Sequence, residues 1–247
     1  MIDEMVVVDS GSTDNTIAIA QHFGCRIFNY PSEQSFNYSH ALNIGLSECI
    51  GEHVLIISSH CVLAFRDVVR TMNNNLQSPS ICGVYCIVIP RGVPLVDRDD
   101  SLRGKLTTVI SKDIFDGGNG LWNSCSMIKR ASWLEHPFDV TMPTAEDQEW
   151  AYWHYKNTHS ATVCIRNAGV LNMNPFSSDE KSIRERIAVA TRLQPSLRSC
   201  RAIFGLCFDA VTFLSRFNFR GCRKALRMAY RLLLSRFVNI KYESRYF

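Results

Sequence analysis

The chain has 247 residues, of which 46% are hydrophobic, so it is long enough to bury a sizeable core. Its net charge of +4 hides an asymmetry, because residues 1–180 carry 12 Lys and Arg against 20 Asp and Glu, whereas residues 181–247 carry 15 against 3. A basic C-terminal segment suits an anionic phospholipid surface, and we expect no nucleic-acid partner because no accompanying motif occurs. No apolar run reaches the roughly 18 residues of a membrane-spanning helix.

Strand and helix signals alternate through the first third of the chain. Val6–Val8 is a run of β-branched residues ending at Asp9, a pattern that favours a fully buried strand. A helix from about Asp14 to Phe23 is expected next, capped by Ser12 or Thr13. The further predicted elements are a strand over Cys25–Tyr30, a helix over Tyr38–Cys49, a strand over His53–Ile57, a helix over Phe65–Leu76 and a strand over Ile81–Ile89. This β-α-β order predicts an α/β sheet with ligands at the carboxyl ends of its strands.

The second half of the chain is less regular. Residues 91–120 are polar and poorly periodic, and we expect them to form a long loop over the ligand-binding edge of the sheet. Strands are predicted over Trp122–Ile128 and Ala161–Ile165, and a helix to about Tyr155 is entered through Pro143–Asp147.

The remainder of the chain has helical periodicity and the excess of cations. We therefore expect one domain over residues 1–178 and a helical, basic extension over 179–247. Arg223–Phe237 alternates large apolar residues with arginines, as in helices that lie on anionic bilayers. The alternative is an amphipathic helix packed on the first domain.

Ten cysteines are scattered along the chain without any Cys-x-x-Cys pair. Most lie in apolar runs such as Ile81–Cys86, where a free cysteine behaves as a small hydrophobe. Because the N-terminus carries no signal-peptide pattern, we expect reduced thiols in a cytoplasmic protein. A disulfide framework is the less favoured alternative.

The chain resembles the family 2 glycosyltransferases in five segments that occur in the same order: "EMVVVDSGSTDNT", "FNYSHALNIGL", "GEHVLIISSHC", "WNSCSMIKRASWLEHPFD" and "TAEDQEWAYW". The resemblance covers about residues 3–175. It implies the GT-A fold, a Rossmann-like, mostly parallel sheet flanked by helices. Members of this family open with one further strand and helix, so the resemblance also implies that this chain is N-terminally truncated.

The resemblance implies an enzyme that transfers a hexosyl or deoxyhexosyl group from a nucleotide-sugar to an acceptor hydroxyl with inversion. The acceptor would be a lipid-linked or growing surface glycan, and the protein would be peripheral on the inner face of the cell membrane. A rival hypothesis is an inactive truncated remnant that is at most a nucleotide-binding or scaffold protein. A dehydrogenase is set aside because no G-x-G-x-x-G follows the first strand.

The first candidate site is the turn after the Val6–Val8 strand. Asp9 stands where α/β sheets bind ligands, and its carboxylate can accept the N–H of a uracil or thymine ring. The backbone of Ser10, Gly11 and Ser12 precedes a helix N-terminus and suits anionic groups of the donor. In the family, the acidic residue of this turn contacts the nucleotide base. The bland alternative is a turn and a helix cap.

The second candidate site is the start of the helix at Glu146 and Asp147. Adjacent side chains on a helix point about 100° apart, so only one of these carboxylates can fully face a cleft. The resemblance assigns Asp147 as the general base that deprotonates the acceptor hydroxyl, with Glu146 as its neighbouring acid. The alternative is an acidic first turn that interacts favourably with the helix dipole.

The third candidate site departs from the family pattern. Where the family carries Asp-x-Asp for Mg²⁺ or Mn²⁺, this chain has Ser58-Ser59-His60, without an acid. We expect Ser59 and His60 to contact the donor phosphates. The candidate metal ligands are His60 and Asn172, an imidazole and a neutral amide that weaken any divalent-cation site. The alternative for His60 is a plain strand-end histidine.

Two asparagines complete the predicted donor site. Asn43 in "ALNIGL" matches a family position on a helix beside the donor, and it could equally be a buried structural amide. Asn123 in "WNSCSMIKR" matches a position that lines the sugar pocket.

Overall fold

The computed structural model describes residues 2–33, 35–89, 109–110, 120–142, 144–173, 206–212 and 219–235. Most of the predicted loop over 91–120, and residues 179–205, 213–218 and 236–247 of the predicted helical extension, lie outside these residues. The chain divides into two compact units. The first comprises Met1–Lys112, Asn119–Pro175 and Ser244–Phe247, and the second comprises Asp113–Gly118 and Phe176–Glu243. The domain boundary after residue 178 stays a prediction.

The described elements of the first unit follow in chain order. They are β1 (Val6–Asp9), α1 (Thr16–His22), β2 (Arg26–Asn29), α2 (Tyr38–Glu48), β3 (His53–Ile57), β4 (Cys61–Leu63), α3 (Val68–Asn75), β5 (Ile81–Ile89), β6 (Val109–Ile110), β7 (Cys125–Lys129), α4 (Arg130–Glu135), α5 (Glu146–Asn157) and β8 (Ala161–Asn172). β3 and β5 begin and end at the predicted residues. The strand predicted over Ala161–Ile165 continues to Asn172, and β4 and β6 are absent from the prediction.

The first helix begins later than its sequence pattern indicates. α1 starts at Thr16 after the N-cap residue Asn15, whose side chain makes no capping bond. The carboxylate of Asp14 accepts the backbone N–H of Thr16 at 2.9 Å, and the hydroxyl of Ser12, a predicted cap, donates to Asp9 instead. The helix ends at His22 and is followed by Gly24 with a φ of +70°. A glycine in this left-handed region is a common stop after a helix.

The strands form two separate sheets in the described part of the chain. β1 and β2 pair in parallel, and the larger sheet has the order β3-β7-β5-β8-β4, with β6 paired to β8. The α/β class is confirmed. Within the larger sheet, the β5–β8 pair is parallel, and the other four strand pairs are antiparallel. The pairing is therefore mixed rather than mostly parallel, since β4, β6 and β7 run against the strands that they join.

The hydrophobic core lies on the larger sheet. Helix α3 packs on β5 and β8 and buries Val68 and Met72 there. The strands contribute a continuous set of buried side chains: Val84, Cys86, Cys125, Met127, Val163, Ile165 and Val170. By contrast, the valines of β1 are only partly buried, so the prediction of a fully buried first strand is wrong. Among the described residues β1 pairs with β2 alone, which leaves its other edge without a neighbour.

The described part of the second unit is helical. It consists of a short stretch over 206–212 and of α6 (Phe219–Ser235). Ala225 and Ala229 of α6 are buried, whereas Phe219, Leu226, Tyr230 and Leu233 are exposed. In the described part of the chain, every helix falls short of the length or apolarity needed to cross a membrane.

All nine described cysteines are free thiols, and Cys200 lies outside the described residues.

Candidate active site

The turn after β1 is organised around the carboxylate of Asp9. The backbone N–H groups of Gly11 and Ser12 donate to its Oδ2 at 2.9 and 3.0 Å, and the Ser12 hydroxyl donates to its Oδ1. These bonds, the hydroxyl first, lower the pKa of Asp9 below its ordinary value. Gly11 has a φ of +107°, a conformation that side-chain-bearing residues rarely adopt. The Ser12 N–H also lies 3.3 Å from Oδ1, so three donors share the about four acceptor positions of the carboxylate and leave at most one for a further donor such as a ring N–H.

The end of β3 is hydrogen-bonded to the segment that precedes β7. The Ser58 hydroxyl donates to the carbonyl of Asn123 at 3.0 Å, and the Ser58 N–H donates to the carbonyl of Ser124 at 3.2 Å. The Ser126 hydroxyl donates to the side-chain oxygen of Asn123 at 2.9 Å. Asn123 is thus held from two strands of the larger sheet. Ser126 has no sequence signal beyond its spacing of three residues from Asn123.

The start of α5 meets the same asparagine. The backbone N–H of Asn123 donates to Oδ2 of Asp147 at 3.1 Å, and its side-chain amide lies 3.5 Å from Oε1 of Glu146. Glu146 is buried and Asp147 is half-buried. The residue before this helix, Ala145, has a φ of 62° and so carries the strain of a left-handed conformation. Asp147 is therefore held at a helix N-terminus by a backbone donor from another segment.

Helix α5 is anchored on a different part of its surface by a fully buried pair, Glu149 and His136. Nε2 of His136 lies 3.2 Å from Oε2 of Glu149, and the Trp150 indole N–H donates to the His136 carbonyl at 2.7 Å. The ring of Trp153 stacks on His136 with centroids 4.2 Å apart. Burial raises the pKa of Glu149, and the nearby His136 counteracts this effect. The sequence signal for such an anchor is an acid among the tryptophans of an amphipathic helix.

His60 and Asn172 lie at the same end of the larger sheet. Cys61 pairs with Asn172 in the β4–β8 ladder, and the N–H of Met173 donates to the His60 carbonyl at 2.8 Å. Mg²⁺ and Mn²⁺ prefer carboxylate oxygens, which this imidazole and amide do not supply. Within the described ranges, no group of three His, Cys, Asp or Glu side chains could hold a metal ion. His60 and Asn172 therefore do not form a divalent-cation site by themselves.

The side chain of Asn43 is engaged inside the protein. Its amide N–H donates to the carbonyl of Phe138 at 2.7 Å, and its Oδ1 accepts the Phe138 N–H at 3.1 Å and the Trp133 indole N–H at 2.9 Å. This geometry favours the structural alternative for Asn43, because both ends of its amide hold the segment that leads to α5. Contact with a donor stays a prediction.

The predicted residues thus fall into groups. Asn123, Glu146 and Asp147 are in direct contact, and Ser58 joins them to the strand end that carries Ser59 and His60. Ser59 is exposed and His60 is half-buried. The side-chain hydrogen bonds of Asp9 remain within its own turn, on the smaller sheet. The side-chain bonds of Asn37 to the carbonyls of Val140 and Met142 tie α2, which packs on β1, to the loop before α5.

Comparison with known proteins identifies the family to which this arrangement belongs. The family model described as glycosyl transferase family 2 matches residues 1–133, more than half of the chain. No curated protein matches the sequence significantly.

Solved structures share the fold at low sequence identity. The mannosyltransferase PcManGT from Pyrobaculum calidifontis, in complex with GDP-Man and Mn²⁺, is 16% identical with a TM-score of 0.61, over 95% of this chain and 76% of its own. Glucosyl-3-phosphoglycerate synthase from Mycobacterium tuberculosis, with Mn²⁺, UDP and phosphoglyceric acid, is 18% identical with a TM-score of 0.55, over 78% and 68%. TarS 1–349 from S. aureus is 12% identical with a TM-score of 0.55, over 92% and 82%. These similarities establish the GT-A fold.

Proposed function

Because this chain belongs to glycosyl transferase family 2, we propose that it moves a sugar from a nucleotide-sugar donor to an acceptor hydroxyl with inversion at the anomeric carbon. The observation that carries the proposal is the contact between Asn123 and Asp147, which places a carboxylate beside the strand end of Ser58. A positioned carboxylate is the group that an inverting transfer requires, since the acceptor hydroxyl must lose its proton as it attacks.

In this proposal Asp147 is the general base. The acceptor oxygen forms a bond to the anomeric carbon while the bond from that carbon to the phosphate oxygen breaks. The hydroxyl proton goes to Asp147, and the nucleoside diphosphate leaves with the electron pair. Attack from the face opposite the departing phosphate inverts the configuration.

The donor is held by the ends of two strands. Asp9 accepts an N–H of the nucleotide base in addition to the donors of its own turn. Ser59 and His60 contact the diphosphate through the hydroxyl and the imidazole, both of which can donate hydrogen bonds to phosphate oxygens. No step is assigned to a divalent cation, since the candidate ligands His60 and Asn172 offer no carboxylate.

Nucleotide release from a panel of UDP-, GDP- and TDP-sugars tests the assignment of the base. We expect Asp147→Asn to lower kcat by about 10²- to 10⁴-fold, the contribution typical of general acid–base catalysis. Asp209→Asn, an exposed acid in the second unit, is the matched control and should keep the activity of the wild type. Equal turnover of wild type and Asp147→Asn removes Asp147 from this role. No release by the wild type from any donor favours the rival hypothesis of an inactive remnant.

We also propose that α6 rests on an anionic membrane surface and brings the enzyme to a lipid-linked acceptor at the inner face of the cell membrane. Phe219, Leu226, Tyr230 and Leu233 recur at intervals of seven, four and three residues, so they share one exposed stripe. The exposed cations Arg223 and Arg227 border this stripe on one side. Apolar residues bordered by cations are typical of helices that insert shallowly between head groups.

Co-sedimentation with vesicles tests this placement. We expect binding to vesicles that contain phosphatidylglycerol and little binding to phosphatidylcholine alone, because each cation near an anionic surface contributes about 1 kcal/mol. The double variant Arg223→Glu with Arg227→Glu should lose most of the binding. Arg66→Glu with Arg70→Glu, two exposed cations of the first unit, is the matched control. Equal loss in both double variants contradicts a specific role for α6.

A further inference from the structure

We propose that Ser58 and Ser126 act as positioning residues for the proposed sugar transfer, because together they hold Asn123 against the Asp147 carboxylate. The three residues Ser58, Ser126 and Asn123 are called the hydroxyl clamp below. This inference rests on the proposed function, since it concerns the orientation of the proposed base.

Within the hydroxyl clamp, the two serine hydroxyls restrain Asn123 at both of its oxygen atoms. Ser58, at the end of β3, donates to the backbone carbonyl at 3.0 Å, and Ser126, in β7, donates to the side-chain oxygen at 2.9 Å. Ser126 is 0% exposed, so no water competes for its hydroxyl. Because a backbone carbonyl and a side-chain amide are fixed at once, the direction of the Asn123 N–H is fixed as well.

That N–H is the contact between the clamp and α5. It donates to Oδ2 of Asp147 at 3.1 Å, while the N–H of Gln148 donates to Oδ1 at 2.8 Å. Each carboxylate oxygen therefore accepts from a backbone donor, which restrains the orientation of the carboxylate. Of these two donors, only the Asn123 N–H comes from outside the helix.

The clamp also connects the two halves of the proposed chemistry. Ser58 directly precedes Ser59 and His60, which are proposed to contact the donor phosphates, while Asn123 contacts the base. Loss of the Ser58 hydroxyl would let the carboxylate shift relative to the strand end. A displacement of about 1 Å costs on the order of 10²-fold in rate when reacting groups must be aligned.

Steady-state nucleotide release by the full chain tests the clamp with four variants. We expect Ser58→Ala and Ser126→Ala to lower kcat by about 10- to 100-fold with donor KM changed less than about twofold. Ser58→Thr keeps the hydroxyl and should recover most of kcat. Ser47→Ala, which removes an exposed hydroxyl bonded to the Ile44 carbonyl at 2.8 Å, is the matched control and should match the wild type.

A double variant shows whether the clamp acts through Asp147. In the Asp147→Asn background, Ser58→Ala should cause no further loss of kcat, because the group that it positions is already gone. Far-UV circular dichroism of each variant sets the folded fraction, and if Ser126→Ala does not fold, the Ser58 variants alone decide the outcome. A loss confined to donor KM, failure of Ser58→Thr, or additive losses in the double variant overturns the clamp alone. Absence of turnover in the wild type overturns both the clamp and the proposed function.

Discussion

Strand β1 of the smaller sheet and strand β7 of the larger sheet are comparably apolar in sequence, yet their burial is very different. Val6–Val8 of β1 are partly exposed, whereas Cys125–Ile128 of β7 are all less than 4% exposed. Strand β7 lies between β3 and β5, while β1 pairs with β2 alone among the described residues. A run of β-branched residues therefore indicates a strand that would be stable when buried. Whether it is buried depends on how many neighbouring strands pair with it.

The helices that pack on the two sheets differ in burial in the same way. Helix α1 buries only Ala20 and leaves Ile19 56% exposed, whereas α3 buries Val68 and Met72 almost completely. The smaller sheet carries Asp9, and the larger sheet carries the end of β3 and contacts the base on α5. The proposed donor site is therefore divided between a well-packed region and a sparsely packed one.

Glu4 joins the smaller sheet to the larger one. Its carboxylate accepts the backbone N–H groups of Ile50 and Gly51, just before β3, at 2.6 and 3.1 Å. It also forms an ion pair with Arg26 at the start of β2, at 2.9 Å. These contacts are made by exposed or half-buried groups, so they add little to the packing of either sheet.

The largest expected effect comes from comparing a truncation in the core on the larger sheet with one in the smaller sheet. Met72→Ala should lower the free energy of unfolding by about 2 to 5 kcal/mol, because it leaves a cavity in the core. Val7→Ala, in the partly exposed β1, should cost about 1 kcal/mol or less. Urea unfolding followed by circular dichroism measures both. Equal losses would mean that the smaller sheet is as well packed as the larger one.

The second prediction concerns the loss of stability at acid pH, which arises from a buried histidine of α5. Burial, reinforced by the charge of His136, lowers the pKa of His154 from 6.5 to about 4, while the Ser132 carbonyl acts in the opposite direction. The unfolded chain therefore binds the proton first, so stability falls as the pH decreases from about 6.5 to about 4, by roughly 3 kcal/mol. Urea unfolding at pH 7.5 and 4.5 measures this loss.

The variant His154→Leu should lose most of this pH dependence, and the exposed His22→Gln should keep it. Glu149, whose pKa burial raises, is present in both variants, so the difference between them isolates His154. If His154→Leu keeps the full dependence, another group is responsible.

The smallest expected effect concerns the link between the sheets. The N–H groups of Ile50 and then Gly51 lower the pKa of Glu4 from 4.5, with Arg26 adding to the effect. The stabilisation is therefore present above about pH 4.5 and is lost as the pH falls through the lower folded value. At pH 7, Glu4→Gln should speed hydrogen exchange in β1 and β2 and leave β5 and β7 unchanged. The exposed Glu33→Gln is the control, and uniform acceleration in all four strands would contradict a local link.

The sequence by itself determined the elements with strong local signals. Strands β3 and β5 match their predicted bounds, and α2 is only one residue shorter, because periodicity and turn residues act within a few positions. The family and its fold were also recognisable from five short segments, and one of them contains Asp147.

The tertiary structure decided how those elements meet. Ser58 and Asn123 are 65 residues apart in the chain, and Asn43 and Phe138 are 95 apart, so no local pattern predicts either contact. The same holds for the mixed strand directions, the exposure of β1 and the buried pair of His136 and Glu149. The chemistry of a side chain limits the kinds of partner that it can contact. The packing of segments distant in the chain decides which of those contacts form.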